Sequence, residues 1–388
     1  MPTHPAKKSP VFAQLIPLLI WLYALAHQLV GLLRSLLHPK PHKSDSIHRP
    51  KVVKNWRWDP KLRKFRPEMD TYTRILEGFR YYLPFLMQAW VYWILDCLRV
   101  ILPVWPKKSI KGQLMLITGT GSGMGRASAI EFSKQGVRLI MWDVNEEANK
   151  ETQKILHELG YHDNVTMTVD LASPKAIDEA GERVRNEYGI PDLVFNNAGI
   201  NGGFLLMECD LEKYDLTMTV NTKAMVCVNK QFLQQMVDRN SGHLVALTSI
   251  AGYQGAGGLI AYSMSKYAAV GYMESVRNEF KAKHINIKCT TIAPYYVKTN
   301  LTRGVEYDNF FAPMKTPDYV ASRICEAVLT DQEELFVPNW SWTYVVLKGI
   351  LPTRVMDVFT AAFEVHTLPI GFEKFRQQQK LAAEQKQH

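Results

Sequence analysis

From Gly112 onward the chain alternates short apolar runs with longer segments in which apolar residues recur every three or four positions. The short runs are "QLMLITG" (113–119), "VRLIMWD" (137–143), "NVTMTVD" (164–170), "PDLVFNNAG" (191–199), "SGHLVALTS" (241–249) and "NIKCTTIAP" (286–294). Their length and apolar content suit buried strands. A helical pattern runs from about Gly123 to Gln135, and "NEEANKETQKILHELG" (145–160) is a polar-faced helix stopped by Gly160. Strand and helix alternating over roughly 190 residues predict an α/β fold, a doubly wound parallel sheet. Right-handed crossovers bring the C-terminal ends of such strands to one edge. The chemically unusual residues of this sequence fall at those ends.

The first 110 residues have a different texture. "VFAQLIPLLIWLYALAHQLVGLL" (11–33) is long and apolar enough to cross a bilayer, which takes roughly 20 residues, although Gln14, Pro17, His27 and Gln28 interrupt it. A cleavable signal peptide is the rival, with Lys7 and Lys8 ahead of the run and "ALA" at 24–26. An anchor is favoured because apolar character continues through Leu37. "YYLPFLMQAWVYWILDCLRVILPVW" (81–105) is a second apolar stretch, aromatic towards its start and broken by Asp96 and Arg99. It reads as a span, as an in-plane or re-entrant segment, or as a helix packed on the following domain. Residues 34–80 hold 13 Lys/Arg against 5 Asp/Glu and read as a segment facing anionic lipid or as a solvated linker. Lys107, Lys108 and Lys111 follow the second stretch, so one crossing plus an interfacial helix, or a shallow hairpin, suits the charges better than two crossings.

Charge and cysteines narrow the picture. The chain of 388 residues carries a net charge of +9. Residues 1–110 hold 18 Lys/Arg against 6 Asp/Glu, which leaves residues 111–388 at −3. The basic excess therefore belongs to the N-terminal region, and nucleic acid is not the expected partner. Five scattered cysteines without a Cys-x-x-Cys pair indicate neither a disulfide framework nor a zinc site.

"TGTGSGMG" (Thr118–Gly125) follows the first strand and opens the first helix. There Gly119 permits a tight turn, Gly123 close backbone approach and Gly125 helix–strand packing, while the exposed N–H groups and helix end suit a pyrophosphate. Ser122 and Met124 complete the loop. Asp143 ends the second strand, 18 residues after Gly125, where a carboxylate binds adenosine ribose hydroxyls and repels a 2′-phosphate. With no positive charge at Ser122, NAD is favoured over NADP. The alternative for Asp143 is an N-cap of the next helix. Asp170 ends the third strand as an acceptor for the adenine amine, and Asn196, Asn197, Ala198 and Gly199 close the fourth. Asn221 lies in the next helix, Ser249 ends the fifth strand, and Tyr262 and Lys266 stand four apart in "AYSMSKYAA".

A Tyr-x-x-x-Lys match alone is more often a surface pair, since residues at i and i+4 are neighbours on any helix. Tyrosine titrates near 10 in solution and is a poor base. A nearby ammonium and an oxidised nicotinamide favour the phenolate. Lys266 then also holds ribose hydroxyls, Ser249 orients the substrate oxygen, and Asn221 anchors a water leading from Lys266 to solvent.

In these combined motifs residues 110–300 resemble the short-chain dehydrogenases/reductases, with Asn221, Ser249, Tyr262 and Lys266 filling the family's catalytic tetrad. "ILPVWPKKSIKGQLMLITGTGSGMGR", "WDVNEEANKET" and "APYYVKTN" resemble the membrane-associated branch with retinol dehydrogenases and lipid-droplet 17β-hydroxysteroid dehydrogenases. The resemblance implies a Rossmann-like catalytic domain at 111–338, behind a membrane-anchor and basic linker region at 1–110. An apolar helix and polar tail at 339–388 follow, with Leu335 to Val337 as sheet edge. It implies that Val297 and Thr299 contact the nicotinamide carboxamide and that Tyr295 and Tyr296 shape the substrate loop, Tyr295 replacing the glycine common in the family. Members usually have one N-terminal anchor, to which 81–105 corresponds; the residues before it depart from the pattern. The implied activity is hydride transfer between NAD and a lipophilic alcohol or carbonyl, such as a retinoid or steroid, in a homodimer at the endoplasmic reticulum or lipid droplet. The alternatives are an NADPH-linked carbonyl reductase and a membrane scaffold with a vestigial site.

Overall fold

A computed structural model of the chain describes residues 106–201, 206–302 and 313–362, with a few helical positions between 83 and 90. The chain divides into two units, Met1–Pro106 and Lys107–His388. In the first, Leu83, Leu86, Met87 and Trp90 are helical and exposed. The stretch at 11–33, the basic segment at 34–80, most of 81–105 and the tail from 363 lie outside the described residues.

In the second unit the six predicted strands form as β1 (Leu114–Thr118), β2 (Arg138–Asp143), β3 (Asn164–Thr168), β4 (Leu193–Asn196), β5 (Gly242–Leu247) and β6 (Ile287–Pro294). A seventh, β7 (Glu334–Val337), closes one edge. All pair in parallel, in the order β3-β2-β1-β4-β5-β6-β7. The order reverses between β1 and β4, and at such a reversal neighbouring crossovers diverge to opposite faces and leave a crevice above the strand ends.

The helices are α1 (Gly123–Ser133), α2 (Glu146–Glu158), α3 (Pro174–Glu187), α4 (Leu211–Met218), α5 (Ala224–Asp238), α6 (Ile260–Ala282), α7 (Pro317–Leu329), α8 (Trp342–Ile350) and α9 (Thr353–Ala362). Their starts follow local chemistry. Asn145 accepts the Ala148 N–H to cap α2, Ser173 and Thr316 cap α3 and α7 ahead of a proline in the first turn, and Asp210 caps α4.

The sheet is buried on both sides because strand neighbours point to opposite faces. Met115, Ile117, Leu139, Met141 and Phe195 pack under α1, α2 and α7, against Phe132, Leu156 and Ile324. Leu116, Ile140, Trp142 and Val194 pack under α3, α5 and α6, against Val184, Phe232 and Phe280. Phe132 meets Phe195 edge-to-face at 6.4 Å, an arrangement adding about 1 kcal/mol to simple burial. Two dry faces hold the strand ends in register, and those ends carry the polar residues.

Candidate active site

At the switch point the glycine turn is knitted to its neighbours by backbone bonds. Gly119, at φ +74°, donates its N–H to the Trp142 carbonyl at 2.7 Å. Gly125 comes so close to it that an added Cβ would stand 1.8 Å from the Gly119 oxygen. From β4, Asn197 donates its side-chain amide to the Thr118 and Gly119 carbonyls at 2.8 and 3.1 Å, and the Asn197 and Ala198 N–H groups both reach Thr118 Oγ1 at 3.1 Å. The Asn197 Oδ1 is buried without a partner. The helix start beside this turn suits a pyrophosphate, and the orphaned Asn197 oxygen suits a hydroxyl donor such as a ribose. Ser122 is exposed at the N-cap of α1, its side chain making no cap bond, and Met124 packs on the core beneath.

Asp143 faces this turn. One carboxylate oxygen accepts the Gly121 N–H at 2.7 Å and the other the Asn145 N–H at 2.8 Å. The cap of α2 is Asn145, so Asp143 does not serve as N-cap. Each oxygen keeps a lone pair for a hydroxyl donor. Asp170 lies two residues beyond β3, exposed, accepting from the Ala172 N–H.

Across the crevice stand Ser249, Tyr262 and Lys266. Ser249 lies two residues past β5 and caps a 3₁₀ turn, Ile250–Gly252, its Oγ accepting from the Ala251 N–H at 3.1 Å. Tyr262 and Lys266 occupy the first turns of α6 on one face, with the Lys266 ammonium 5.5 Å from the Tyr262 ring centre. Lys266 is buried, donates to the Leu247 carbonyl at 2.8 Å, and is lowered by burial to about 8. Burial pushes the Tyr262 phenol up to about 12, with a hydrogen bond to Ser249 pulling the other way. Burial outweighs that hydrogen bond, so the free protein holds Tyr262 as the neutral phenol.

Asn221 sits in a π-helical turn, Thr219–Lys223, between α4 and α5. Such turns interrupt the helical ladder and recur at functional sites. Its amide accepts the Ile200 N–H at 2.8 Å and donates to the Ile200 carbonyl and the Ser265 hydroxyl, both at 2.9 Å. The side chain thus ties the segment after β4 to α6, one residue before Lys266. A Cβ at Gly199 would lie 3.3 Å from Asn221 Oδ1 and 3.4 Å from Lys266 Nζ, so the three positions converge.

After β6, Val297 is buried and bridges to Lys315, and Thr299 packs over Gly123, 3.4 Å from where its Cβ would be. Thr302 Oγ1 holds this loop by donating to the Val297 carbonyl at 2.6 Å. The Tyr295 and Tyr296 rings meet edge-on at 4.8 Å. Burial raises the Tyr296 phenol well above its ordinary value, and Tyr295 and Tyr262 add to the rise, which sets Tyr296 beside Tyr262. A cleft of about 570 Å³ opens between α1 and this loop, at Gly123, Arg126, Thr299 and Met314.

Arg126 was absent from the residues singled out by sequence. Its guanidinium donates to the Gly121 carbonyl at 2.6 Å, to Ala148 O at 3.3 Å and to Thr152 Oγ1 at 2.9 Å. The Gly121 peptide is therefore gripped by Asp143 on its N–H and by Arg126 on its carbonyl. The signal was present: an arginine directly after the last glycine, one turn into α1.

The strand order, the glycine turn and the Ser249–Tyr262–Lys266 cluster coincide with one family, and the sequence model of the short chain dehydrogenase family matches residues 113–309. The chain belongs to the short-chain dehydrogenases. This dehydrogenase is 35% identical to epidermal retinol dehydrogenase 2 of Mus musculus over 69% of its own chain and 87% of that protein. It is 36% identical to retinol dehydrogenase 10 of Xenopus tropicalis, over 63% of its own chain and 80% of that protein. Among solved structures, a short chain dehydrogenase/reductase from Burkholderia phymatum in complex with NAD shares the fold. Its TM-score is 0.56 at 22% identity, covering 62% of this chain and 93% of that one. The dehydrogenase is accordingly an oxidoreductase with the fold of nicotinamide-cofactor enzymes.

Proposed function

We propose that this dehydrogenase transfers a hydride between NAD and a lipophilic alcohol or carbonyl of the retinoid or steroid type. The observation that carries the reading is the meeting of Ser249, Tyr262 and Lys266 on the side of the crevice opposite the glycine turn. The retinol dehydrogenases at 35–36% identity support the substrate class. The described residues fit the cofactor. Gly119, Gly123 and Gly125 with Asn197, Ala198 and Gly199 would cradle the pyrophosphate and adjoining ribose. Asp143 would take the adenosine ribose, Asp170 the adenine amine, and Val297 and Thr299 the carboxamide. Bound NAD would supply the hydride acceptor and, when oxidised, a positive charge.

Each side chain then has a task. Ser249 holds the substrate oxygen through its hydroxyl. Tyr262 moves the proton at that oxygen, accepting it as phenolate in oxidation and donating it as phenol in reduction. Lys266 keeps one proton on Leu247 O and would turn the others to the nicotinamide ribose of bound NAD, its charge offsetting part of the cost of a buried phenolate. Asn221 positions the Lys266 turn through Ser265. Tyr295 and Tyr296 line the substrate side. Holding the reacting carbon and cofactor within about 3.5 Å contributes several kcal/mol to lowering the barrier.

Asp143 favours NAD over NADP, since a second negative charge beside it is repelled. Two observations support the runner-up, an NADPH-linked reductase. Arg126 offers a cation beside the Gly121 turn, and a phenol held neutral up to about 12 is already the proton donor that reduction needs.

We assign residues 1–110 to a membrane anchor and linker, 111–338 to the catalytic domain and 339–388 to a C-terminal helix and tail, at the endoplasmic reticulum or lipid droplet. No helix among the described residues is long and apolar enough to cross a membrane. The candidate stretches at 11–33 and 81–105 lie outside them, apart from a few positions near 83–90. Exposed Trp342, Ile350 and Val358 on α8 and α9 suit a lipid-side setting. The helices bearing Asn221 and Tyr262 are the surface on which a homodimer would form.

The test is turnover by detergent-solubilised protein of NAD and NADP with a panel of retinol, steroid and long-chain alcohols, and of NADPH with the matching carbonyls, beside Tyr262→Phe. NAD-dependent turnover that vanishes in the variant is the expected result. Turnover confined to NADPH and carbonyls would replace this reading with the reductase, and retained turnover in the variant would remove Tyr262 from the chemistry.

A further inference from the structure

α8 carries one charged side chain, Lys348, and its ammonium reaches back across the fold. Nζ donates to the Tyr253 carbonyl at 2.7 Å and to the Tyr267 hydroxyl at 2.6 Å, and lies 5.3 Å from the centre of the Tyr267 ring. From α9, Thr360 accepts from Gln254 Nε2 at 3.4 Å and is paired with Tyr344 of α8 at 2.9 Å. The Tyr253 ring packs at a tilt of 53° on Phe336 of β7, their centres 5.1 Å apart. Two consecutive residues, Tyr253 and Gln254, are thus gripped from β7, α8 and α9 together.

These residues end the turn that begins at Ser249. The turn is pressed on its other side against α6. A Cβ at Gly252 would stand 2.7 Å from the Lys266 carbonyl oxygen and 2.9 Å from Val270. Ser249 Oγ is itself held by the Ala251 N–H inside the same turn. Tyr267, the second partner of Lys348, is the residue after Lys266. One ammonium therefore touches both the segment that orients Ser249 and the helix that carries Tyr262 and Lys266, without touching the crevice.

We propose that Lys348 is a positioning residue: through Tyr253 and Tyr267 it fixes the Ser249 turn against the catalytic helix. This rests on the reading of Ser249 as the group that holds the substrate oxygen. A Ser249 hydroxyl that drifts relative to Tyr262 loses contact in the transition state, where small misplacements cost most. Lys266 stays bonded to the Leu247 carbonyl, and the glycine turn after β1 and Asp143 at the end of β2 lie away from this latch, so the NAD KM is expected to hold.

The test compares full-length wild type, Lys348→Met and Lys348→Arg in detergent. It measures kcat and the NAD KM with retinol, and hydrogen exchange over 249–259 and over the β1–β2 peptides. The expected result for Lys348→Met is a kcat lower by about tenfold with an unchanged NAD KM and faster exchange confined to 249–259. Lys348→Arg, which keeps the charge and the donors, regains most of the rate. An unchanged kcat in Lys348→Met, or exchange that rises evenly across the sheet, overturns the proposal. If wild type turns over no alcohol with either cofactor, the functional reading fails instead. Exchange alone then decides the latch: a local rise at 249–259 upholds it and no rise refutes it.

Discussion

Gly125→Ala isolates the tightest contact of the cofactor cradle. The new methyl would stand 1.8 Å from the Gly119 oxygen, 2.7 Å from the Gly119 carbonyl carbon and 2.6 Å from Asn197 Nδ2. An ordinary contact is about 3.5 Å, so the turn must open by more than about 1.5 Å. It cannot do so freely, because Gly119 is bonded to Trp142 O and to Asn197 Nδ2. Losing one or two such bonds costs about 1 kcal/mol each, and packing strain about 1–3 kcal/mol more, so destabilisation of about 2–5 kcal/mol is expected. At about 2–4 °C per kcal/mol for a protein of this size, Tm falls by about 4–20 °C. The same added methyl at Gly349 in α8, which meets nothing within 4 Å beyond its own helical turn, leaves Tm equal or slightly higher through the helix preference for alanine. Scanning fluorimetry of both variants, with NAD titrated into each, reads the two signs. A Gly125→Ala protein that melts with wild type and binds NAD as well would refute the cradle geometry.

Asp143→Asn keeps an acceptor for the Gly121 N–H but removes the charge, so the ratio of kcat/KM for NAD over NADP should fall about tenfold or more; an unchanged ratio would move cofactor choice to Arg126. His243 is buried at the foot of β5, accepting from Lys108 Nζ at 2.9 Å, and burial and that ammonium hold its pKa well below 6.5. The unfolded chain therefore takes up a proton that the folded one refuses, so stability present above about pH 6.5 is lost as pH falls. Tm should drop from pH 7 to 5, less steeply in His243→Gln, and parallel curves would show that His243 contributes nothing to the slope.

The strands and the first helices were legible because their information is local. A buried parallel strand is a short apolar run, and α2 announces itself by a capping asparagine, a polar face and a closing glycine. The glycine turn, Asp143, Asn197 and the Tyr262–Lys266 pair were legible for a related reason: each is a short motif at a strand or helix end, and parallel topology brings all such ends to one edge. Ser249 and Asp170 were read as strand ends and lie two residues beyond, since the ladder stops before the chain turns.

Protonation and clamping needed the folded molecule. Spacing sets Lys266 near Tyr262, but whether a phenol is acidic depends on how much water surrounds it, and the burial that pushes Tyr262 up to about 12 exists only in the folded chain. Asn221 bonds its amide to Ile200 and Ser265, 21 and 44 residues away, partners that spacing along the chain does not name. Arg126 meets Gly121 within one turn, yet its role shows only when α2 arrives with Ala148 and Thr152. Lys348 reaches Tyr253 across 95 residues. Periodicity reports which face of a segment is dry, because that depends on neighbours three or four positions off. Which donor meets which acceptor depends on the packing of whole elements, and only the tertiary structure supplies that.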